Sequence, residues 1–342
     1  MSTVDVIWFV RDEEFRLLRL HRAAVLTAAA LLLVSRAALA DPAILLFPAI
    51  GQPGQVTVAG RVLKEAPSRG SSTLSRNLRR LMAPNWEGAP VKVAFAGARG
   101  EATSTHDGAF EVTFTAPAGK PFPPGLVPVE ASVPGAVAKS AVEVVSPRAP
   151  FIVISDFDDT LALTHVTDKV KMVEAALLED FDSQTPVAGM NALYRCLRQD
   201  KPAPPAFALV SGSPVQYVPR TARFLAHHQF PFFGLYLRDL GPGTLRDYKQ
   251  PYIRQLLKTL PQRAVLVGDS GEHDPEVYAQ MRTEFPGRVA RIYIRDAGRT
   301  EEKKRFEGMV LFQHPREAAW DAMSQGLASE SCVRTAFTEL PQ

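Results

Sequence analysis

The sequence predicts two kinds of sheet in one chain. A parallel sheet flanked by helices is expected over residues 148–315, and a small antiparallel β-sandwich over residues 41–147. Three observations carry this. The runs Phe151-Ile152-Val153-Ile154, Phe207-Ala208-Leu209-Val210 and Ala264-Val265-Leu266-Val267 are unbroken apolar stretches, as strands buried on both faces require. Helix-length segments separate them. Upstream, residues 55–62, 91–95, 110–114 and 127–133 alternate apolar with polar side chains between glycine and proline breaks, which is the pattern of half-buried antiparallel strands.

In chain order, residues 1–40 read as an export signal. Arg16, Arg19 and Arg22 precede an apolar stretch over 23–34, and Ala38-Leu39-Ala40 offers a small-residue cleavage site before Asp41. The stretch is shorter than the ~20 residues of a spanning helix, and Arg36 follows it closely. The expected location is periplasmic or secreted, with an uncleaved membrane anchor as the alternative. Residues 41–147 then carry the alternating strands and a short apolar run at 142–145, with Asp107-Gly108 as a hairpin signal. Together they predict an Ig-like or transthyretin-like accessory domain. Within it, Leu74, Leu78 and Leu81 share a helical face beside Arg76, Arg79 and Arg80. This basic turn either packs on its own domain or touches an anionic membrane. Ser146-Pro147-Arg148-Ala149-Pro150 is the expected linker.

In the α/β part the chemistry gathers at strand ends. Asp156-Phe157-Asp158-Asp159-Thr160 follows the first apolar run. Ligands of open α/β sheets bind at that edge, and aspartates two apart on extended backbone point the same way. Hard carboxylate oxygens suit Mg²⁺. One carboxylate can attack phosphorus while the other moves protons, and the Thr160 hydroxyl can fix the loop. A single aspartate there would more often cap the following helix; the paired pattern favours a site. The third run ends in Gly268-Asp269-Ser270-Gly271-Glu272-His273-Asp274, a second acidic strand end that would complete an oxygen shell. Ser270 or Asp274 can also cap the helix opening at Pro275, and both readings can hold. The middle run ends in Ser211-Gly212-Ser213-Pro214, whose hydroxyl and N–H groups can hold phosphate oxygens. Lys249, before the strand of Asp269, supplies a cation to balance the carboxylates.

These four features in this order (D-x-D-x-T, Ser, Lys, GD-x(4)-D) resemble the haloacid dehalogenase (HAD) phosphohydrolase superfamily. The resemblance implies an α/β Rossmann-like HAD fold, Mg²⁺ as cofactor and an aspartyl-phosphate intermediate. It makes Asp156 the nucleophile and Asp158 the general acid/base with its backbone carbonyl on Mg²⁺. Ser211 and Lys249 would bind the phosphoryl group, Asp269 would coordinate Mg²⁺, and Asp274 would support it directly or through water. The catalytic set is then Asp156, Asp158, Thr160, Ser211 and Lys249, and the metal set Asp156, Asp158, Asp269 and Asp274. The flanks narrow the likeness: Ser155 to Thr160, Phe230-Pro231 with Leu237-Arg238-Asp239, and Gly268 to Tyr278 are similar to the catalytic domain of the actin-patch phosphatidate phosphatase family, over about residues 145–315. That resemblance implies Mg²⁺-dependent dephosphorylation of phosphatidate or related lipid phosphates. Gly212 departs from it, standing where members often carry asparagine, a position that bears on headgroup recognition.

Thr160 to Ser211 spans 51 positions and Ser211 to Lys249 spans 38, which leaves no room for a full cap domain, so a minimal cap and an open site are expected. An open site suits a lipid phosphate with possible peripheral membrane contact; it also admits a soluble or protein-bound phosphate ester. A third reading is a non-catalytic surface-binding module on a HAD scaffold, against which the intact acidic set speaks. Apolar content of 46% and charge of 22% describe an ordinary folded chain, and a net charge of +3 gives no argument for nucleic acid. Cys196 and Cys332 can form a disulfide in an oxidising compartment; their spacing does not decide it. Residues 316–342 are expected to hold one helix, over 316–325, and a polar tail.

Overall fold

The computed structural model describes residues 41–66, 79, 82–164, 184–239 and 248–338. The expected export signal, the basic turn through Arg76 and Arg80, and a helix expected over 168–180 fall outside the described residues.

Both predicted sheet types are present. The first part holds β1(Ala43–Leu46), β2(Ala49–Gly51), β3(Gln55–Leu63), β4(Pro90–Phe95), β5(Ala98–Thr103), β6(Ala109–Thr115), β7(Gly125–Val133) and β8(Ala136–Val144). They form a three-stranded sheet ordered β1-β3-β6 and a five-stranded sheet ordered β2-β8-β7-β4-β5. All pairings are antiparallel except β2 with β8. The alternation in the sequence does what a period of two requires. Val56 and Val58 of one sheet and Val91, Val93 and Phe95 of the other enter a shared core with Phe110, Val112 and Phe114. Asp107-Gly108 corrects an expectation. The turn is tight and Gly108 takes φ 76°, but β5 and β6 lie in different sheets, so it carries the chain between layers and makes no hairpin. Among the described residues, two-residue hairpin connections occur instead at Ala96-Gly97 between β4 and β5, with φ 49° and 82°, and at Pro134-Gly135 between β7 and β8, with φ 86° at Gly135.

The second part holds β9(Phe151–Ser155), β10(Phe207–Pro214), β11(Phe233–Arg238), β12(Arg263–Asp269), β13(Val289–Arg295) and β14(Val310–Phe312). They form one sheet ordered β11-β10-β9-β12-β13-β14, parallel throughout. Among the described residues its helices are α1(Met190–Arg198), α2(Val218–His227), α3(Lys249–Thr259), α4(Asp274–Glu284), α5(Pro315–Ser324) and α6(Glu330–Phe337). The unbroken apolar runs are explained by burial on two faces. Phe151 and Val153 face a core with Tyr194, Phe224, Ala318 and Phe337 of α1, α2, α5 and α6. Ile152 and Ile154 face a core with Ile253, Leu257, Val277 and Met281 of α3 and α4. Strand order runs one way from β9 through β10 to β11 and the other way from β12 to β14. The switch point therefore lies between β9 and β12, where α/β sheets open their ligand crevice.

The two parts are joined by specific contacts. Ile50, Val145 and Ala149 enter the core beneath α3 and α4. The N–H of Leu235 donates to Pro48 O at 2.8 Å, which caps the free edge of β11. Arg198 pairs with buried Glu143 at 2.7 Å, and Arg61, 5% exposed, pairs with Asp239 at 2.6 Å. At the C-terminus the polar tail contains a further helix, α6. It seats Val333 and Phe337 in the core, and Cys332 is disulfide-bonded to Cys196 of α1.

Candidate active site

β9 delivers its last residue, Ser155, at the switch point, and Asp156 follows with its N–H bonded to Val267 O of β12 at 2.9 Å. Ser155 braces the exit: its hydroxyl donates to Asp156 O at 2.7 Å and shares a 2.6 Å hydrogen bond with the buried Tyr194 hydroxyl. The chain then turns back on itself. Asp159 takes φ 52°, and Leu161 donates its N–H to Phe157 O at 2.8 Å. Phe157 anchors the turn edge-on against Phe224, with centroids 5.2 Å apart.

β12, the neighbour of β9, ends at Asp269, and α4 opens five residues later at Asp274. Asp269 Oδ1 accepts the N–H groups of Gly271 at 2.7 Å and Glu272 at 3.3 Å, while Asp274 Oδ2 accepts the N–H of Asp269 at 3.2 Å. Gly268 is required here, because a Cβ on it would lie 2.3 Å from Asp274 Oδ2. The ligand atoms of Asp156, Asp269 and Asp274 all lie within 4.8 Å of one another, and all three residues are buried. Lys249, at the first turn of α3, reaches into this group. Its Nζ is 2.8 Å from Asp156 Oδ1 and in contact with Asp274 Oδ1.

The charge balance decides what the cluster can hold. Three ionised carboxylates against one ammonium would leave two negative charges uncompensated in a buried pocket, and buried charge of that kind is neutralised by protons or by a cation. Burial pushes the Asp156 carboxyl well above the usual range against the pull of Lys249. Burial, with the adjacent Asp274, pushes Asp269 up to about 8. The Lys249 ammonium is held firmly protonated by Asp156 and Asp274 despite its burial. Asp269 Oδ2 is buried and has no hydrogen-bond partner among the described residues. Hard oxygens, two surplus negative charges and one orphaned oxygen fit a divalent cation, and Mg²⁺ is of the right kind. Asp156, Asp269 and Asp274 are the side chains that would hold it.

Asp158 stands apart from this group. Its Oδ2 accepts the hydroxyls of Ser211 at 3.2 Å and Ser213 at 3.0 Å, and its carboxylate is not one of the clustered oxygens. Burial raises its pKa, with the two serine hydrogen bonds opposing. Thr160 Oγ1 lies 3.4 Å from Asp156 Oδ2, a long hydrogen bond. The structure thus brings Asp156, Lys249, Asp269 and Asp274 into direct contact or near it, and sets Asp158 with Ser211 beside them. Sequence reasoning gave no role to two side chains. One is the Ser213 hydroxyl: the sequence assigned Ser213 only its backbone N–H, and the bond of its hydroxyl to Asp158 appears in the structure. The other is Glu272, raised by burial and interacting with Lys249, Asp274 and Asp158; lying inside the Asp269 motif, it was open to notice as a third acid.

A parallel sheet with a buried carboxylate cluster at its switch point, able to hold a divalent cation, defines the class of site. The comparisons name a nearer likeness. Residues 151–296 match the family described as phosphatidate phosphatase APP1, catalytic domain, and every site residue named above lies inside that segment. An uncharacterized protein of Schizosaccharomyces pombe is 31% identical over 154 residues, covering 42% of this chain and 25% of that protein. The phosphatidate phosphatase APP1 of Saccharomyces cerevisiae is 32% identical over 151 residues, again covering 42% of this chain and 25% of that protein. The chain thus spans about a quarter of the length of these curated relatives. Among solved structures, a Pnkp1/Rnl/Hen1 complex is 20% identical with a TM-score of 0.30, covering 49% of this chain and 47% of that one, too slight a likeness to bear on fold or function.

Proposed function

We propose that this protein is a Mg²⁺-dependent phosphomonoester hydrolase that works through an aspartyl-phosphate on Asp156. The observation that carries the reading is the contact of Lys249 with both Asp156 and Asp274 inside a buried three-carboxylate cluster at the sheet's switch point. Asp156 has one oxygen on Lys249 and the other within reach of Thr160, so the carboxylate is held in one orientation for attack on phosphorus. Lys249 also supplies positive charge where the transferring phosphoryl group develops negative charge. Asp158 is placed to give a proton to the leaving oxygen and then to take one from water, and its burial favours the protonated form. Ser211 and Ser213 orient it for both steps and can turn their hydroxyls to phosphoryl oxygens. A bound divalent cation would neutralise the surplus charge and polarise the phosphoryl group.

For the substrate we favour a phosphatidate-like lipid phosphate. The matched segment is that of a phosphatidate phosphatase catalytic domain, and the relative of that name shares it. A soluble or protein-bound phosphate ester is the competing substrate class. Export is part of the proposal. The Cys196–Cys332 disulfide supports an oxidising compartment; among the described residues no helix is long and apolar enough to cross a membrane. Phosphate release from phosphatidate vesicles, set against soluble esters with Mg²⁺ or with chelator, tests the reading. Mg²⁺-dependent release from vesicles is expected. Good activity on soluble esters alone would move the assignment to the second class, and no release from any ester would end the phosphatase reading.

A further inference from the structure

The loop that carries Asp269 and Asp274 is fixed from outside by arginines of a later segment. Three consecutive carbonyls, those of Ser270, Gly271 and Glu272, each accept a guanidinium N–H. Arg305 Nη1 donates to Ser270 O at 3.1 Å, Arg299 Nη1 to Gly271 O at 3.0 Å, and Arg305 Nη2 to Glu272 O at 2.7 Å. Arg305 lies in a short 3-10 turn, Lys303–Phe306, and its side chain is only 9% exposed. It is also tied to Arg299 O at 2.8 Å and to Glu276 in the first turn of α4. The inner side of the same loop is the complement of this. The N–H groups of Gly271 and Glu272 both turn inward to Asp269 Oδ1, and Asp269 Oδ2 is buried with no hydrogen-bond partner among the described residues.

A peptide plane has two polar sides, so holding its carbonyl outward points the next N–H inward. We propose that Arg305, with Arg299 assisting, is a positioning residue of the cation site. It holds the 270–272 carbonyls away from the cluster, so that the loop amides pin one oxygen of Asp269 and leave the other aimed at the cation. This rests on the reading of Asp156, Asp269 and Asp274 as a cation site. Arg305 lies beyond residues 151–296, the segment matched to the catalytic family, so the likeness itself assigns it nothing. A lysine cannot replace it, because one ammonium cannot reproduce the planar fork that serves two carbonyls and Glu276 together. Partners of metal ligands typically account for ten- to a hundredfold in metal affinity.

The test is isothermal titration of the full chain with Mn²⁺ alone, without substrate, on wild type, Arg305→Lys, Arg305→Gln, Arg299→Gln and Arg282→Gln. Arg282 donates to Gly308 O and Glu307 O, so it anchors the same segment without touching the loop. We expect both Arg305 variants to bind Mn²⁺ about ten- to a hundredfold more weakly. Arg299→Gln should lose less, and Arg282→Gln should match wild type. Hydrolysis by the Arg305 variants should recover toward the wild-type turnover number at saturating cation. Wild-type affinity in Arg305→Lys and Arg305→Gln would overturn the proposal, as would an equal loss in Arg282→Gln. If an Arg305 variant does not fold, Arg299→Gln decides: undiminished Mn²⁺ affinity there overturns the proposal. Wild type that binds Mn²⁺ but hydrolyses no ester would sink the phosphatase reading alone, and wild type that binds no Mn²⁺ would remove the cation site and this inference with it.

Discussion

Replacing Lys249 by methionine keeps the stem and removes the charge, and its cost can be worked from the contacts. Lys249 Nζ is 2.8 Å from Asp156 Oδ1 and touches Asp274 Oδ1, with the three side chains 4%, 2% and 1% exposed. At an effective dielectric constant of about 20, one such pair attracts by about 6 kcal/mol. Lys249 no longer bears its own desolvation once it is gone, and the net cost of breaking a buried pair from one side is ~3–5 kcal/mol. The penalty should depend on pH. Burial already raises the Asp156 carboxyl while Lys249 restrains it, so without Lys249 its folded pKa rises further above the unfolded value. A carboxyl raised on folding contributes stability at low pH and loses it as pH rises. The variant's penalty should therefore be largest near pH 8 and shrink toward the ordinary carboxylate range of about 4. Saturating Mg²⁺ should recover part of the loss by neutralising the exposed imbalance. Urea unfolding at pH 8 and at pH 5.5, with and without Mg²⁺, reads all three effects. A penalty below about 1 kcal/mol at pH 8, or one that grows as pH falls, would refute this electrostatic account.

Two further outcomes follow from single contacts. Gly268→Ala would place a methyl 2.3 Å from Asp274 Oδ2 and 2.8 Å from Asp274 Cβ, so it should displace that carboxylate. We expect a stability cost of about 1–3 kcal/mol and Mn²⁺ binding weakened by about tenfold or more in calorimetry; unchanged Mn²⁺ affinity would contradict the placement of Asp274. Removing the Cys196–Cys332 bridge by a double serine variant opens a closure of 136 residues and should lower stability by ~2–5 kcal/mol in urea unfolding, against no change if the tail is not anchored there.

The parts of the structure legible in the sequence are those where one physical rule dominates. β9, β10 and β12 are apolar on both faces because both faces are covered, and no competing pattern disguises them. The acidic strand ends stood out because carboxylates are otherwise avoided beside such runs. β5 escaped notice because its sequence, Ala-Arg-Gly-Glu-Ala-Thr, is half exposed and carries no large apolar side chain. β1 and β2 were hidden by their brevity and by Pro48 between them, although that stretch covers the edge of β11. α6 read as polar tail, since only Val333 and Phe337 of it are fully buried and the Cys332 link cannot be seen from spacing. Asp107-Gly108 has the residues of a hairpin turn, but a tight turn serves equally to pass between layers, and only the strand partners tell the two apart. In the site, the identities of Asp156, Lys249, Asp269 and Asp274 were readable in order along the chain. Their sharing of Lys249, and the serine pair that sets Asp158 apart, depend on side-chain placement that no spacing encodes.

The central claim is that Asp156 itself carries the phosphoryl group, and trapping that species tests it most directly. The protein would be mixed with a phosphate ester and Mg²⁺, acid-quenched within one turnover and reduced with borohydride, which converts an acyl phosphate on aspartate to homoserine. Peptide mass spectrometry should find homoserine at position 156 in wild type and in no other acidic residue of the site. Asp156→Asn should show neither the label nor turnover. Phosphate release at near wild-type rate by Asp156→Asn, or a trapped species at Asp158 or Asp269 instead, would contradict the account.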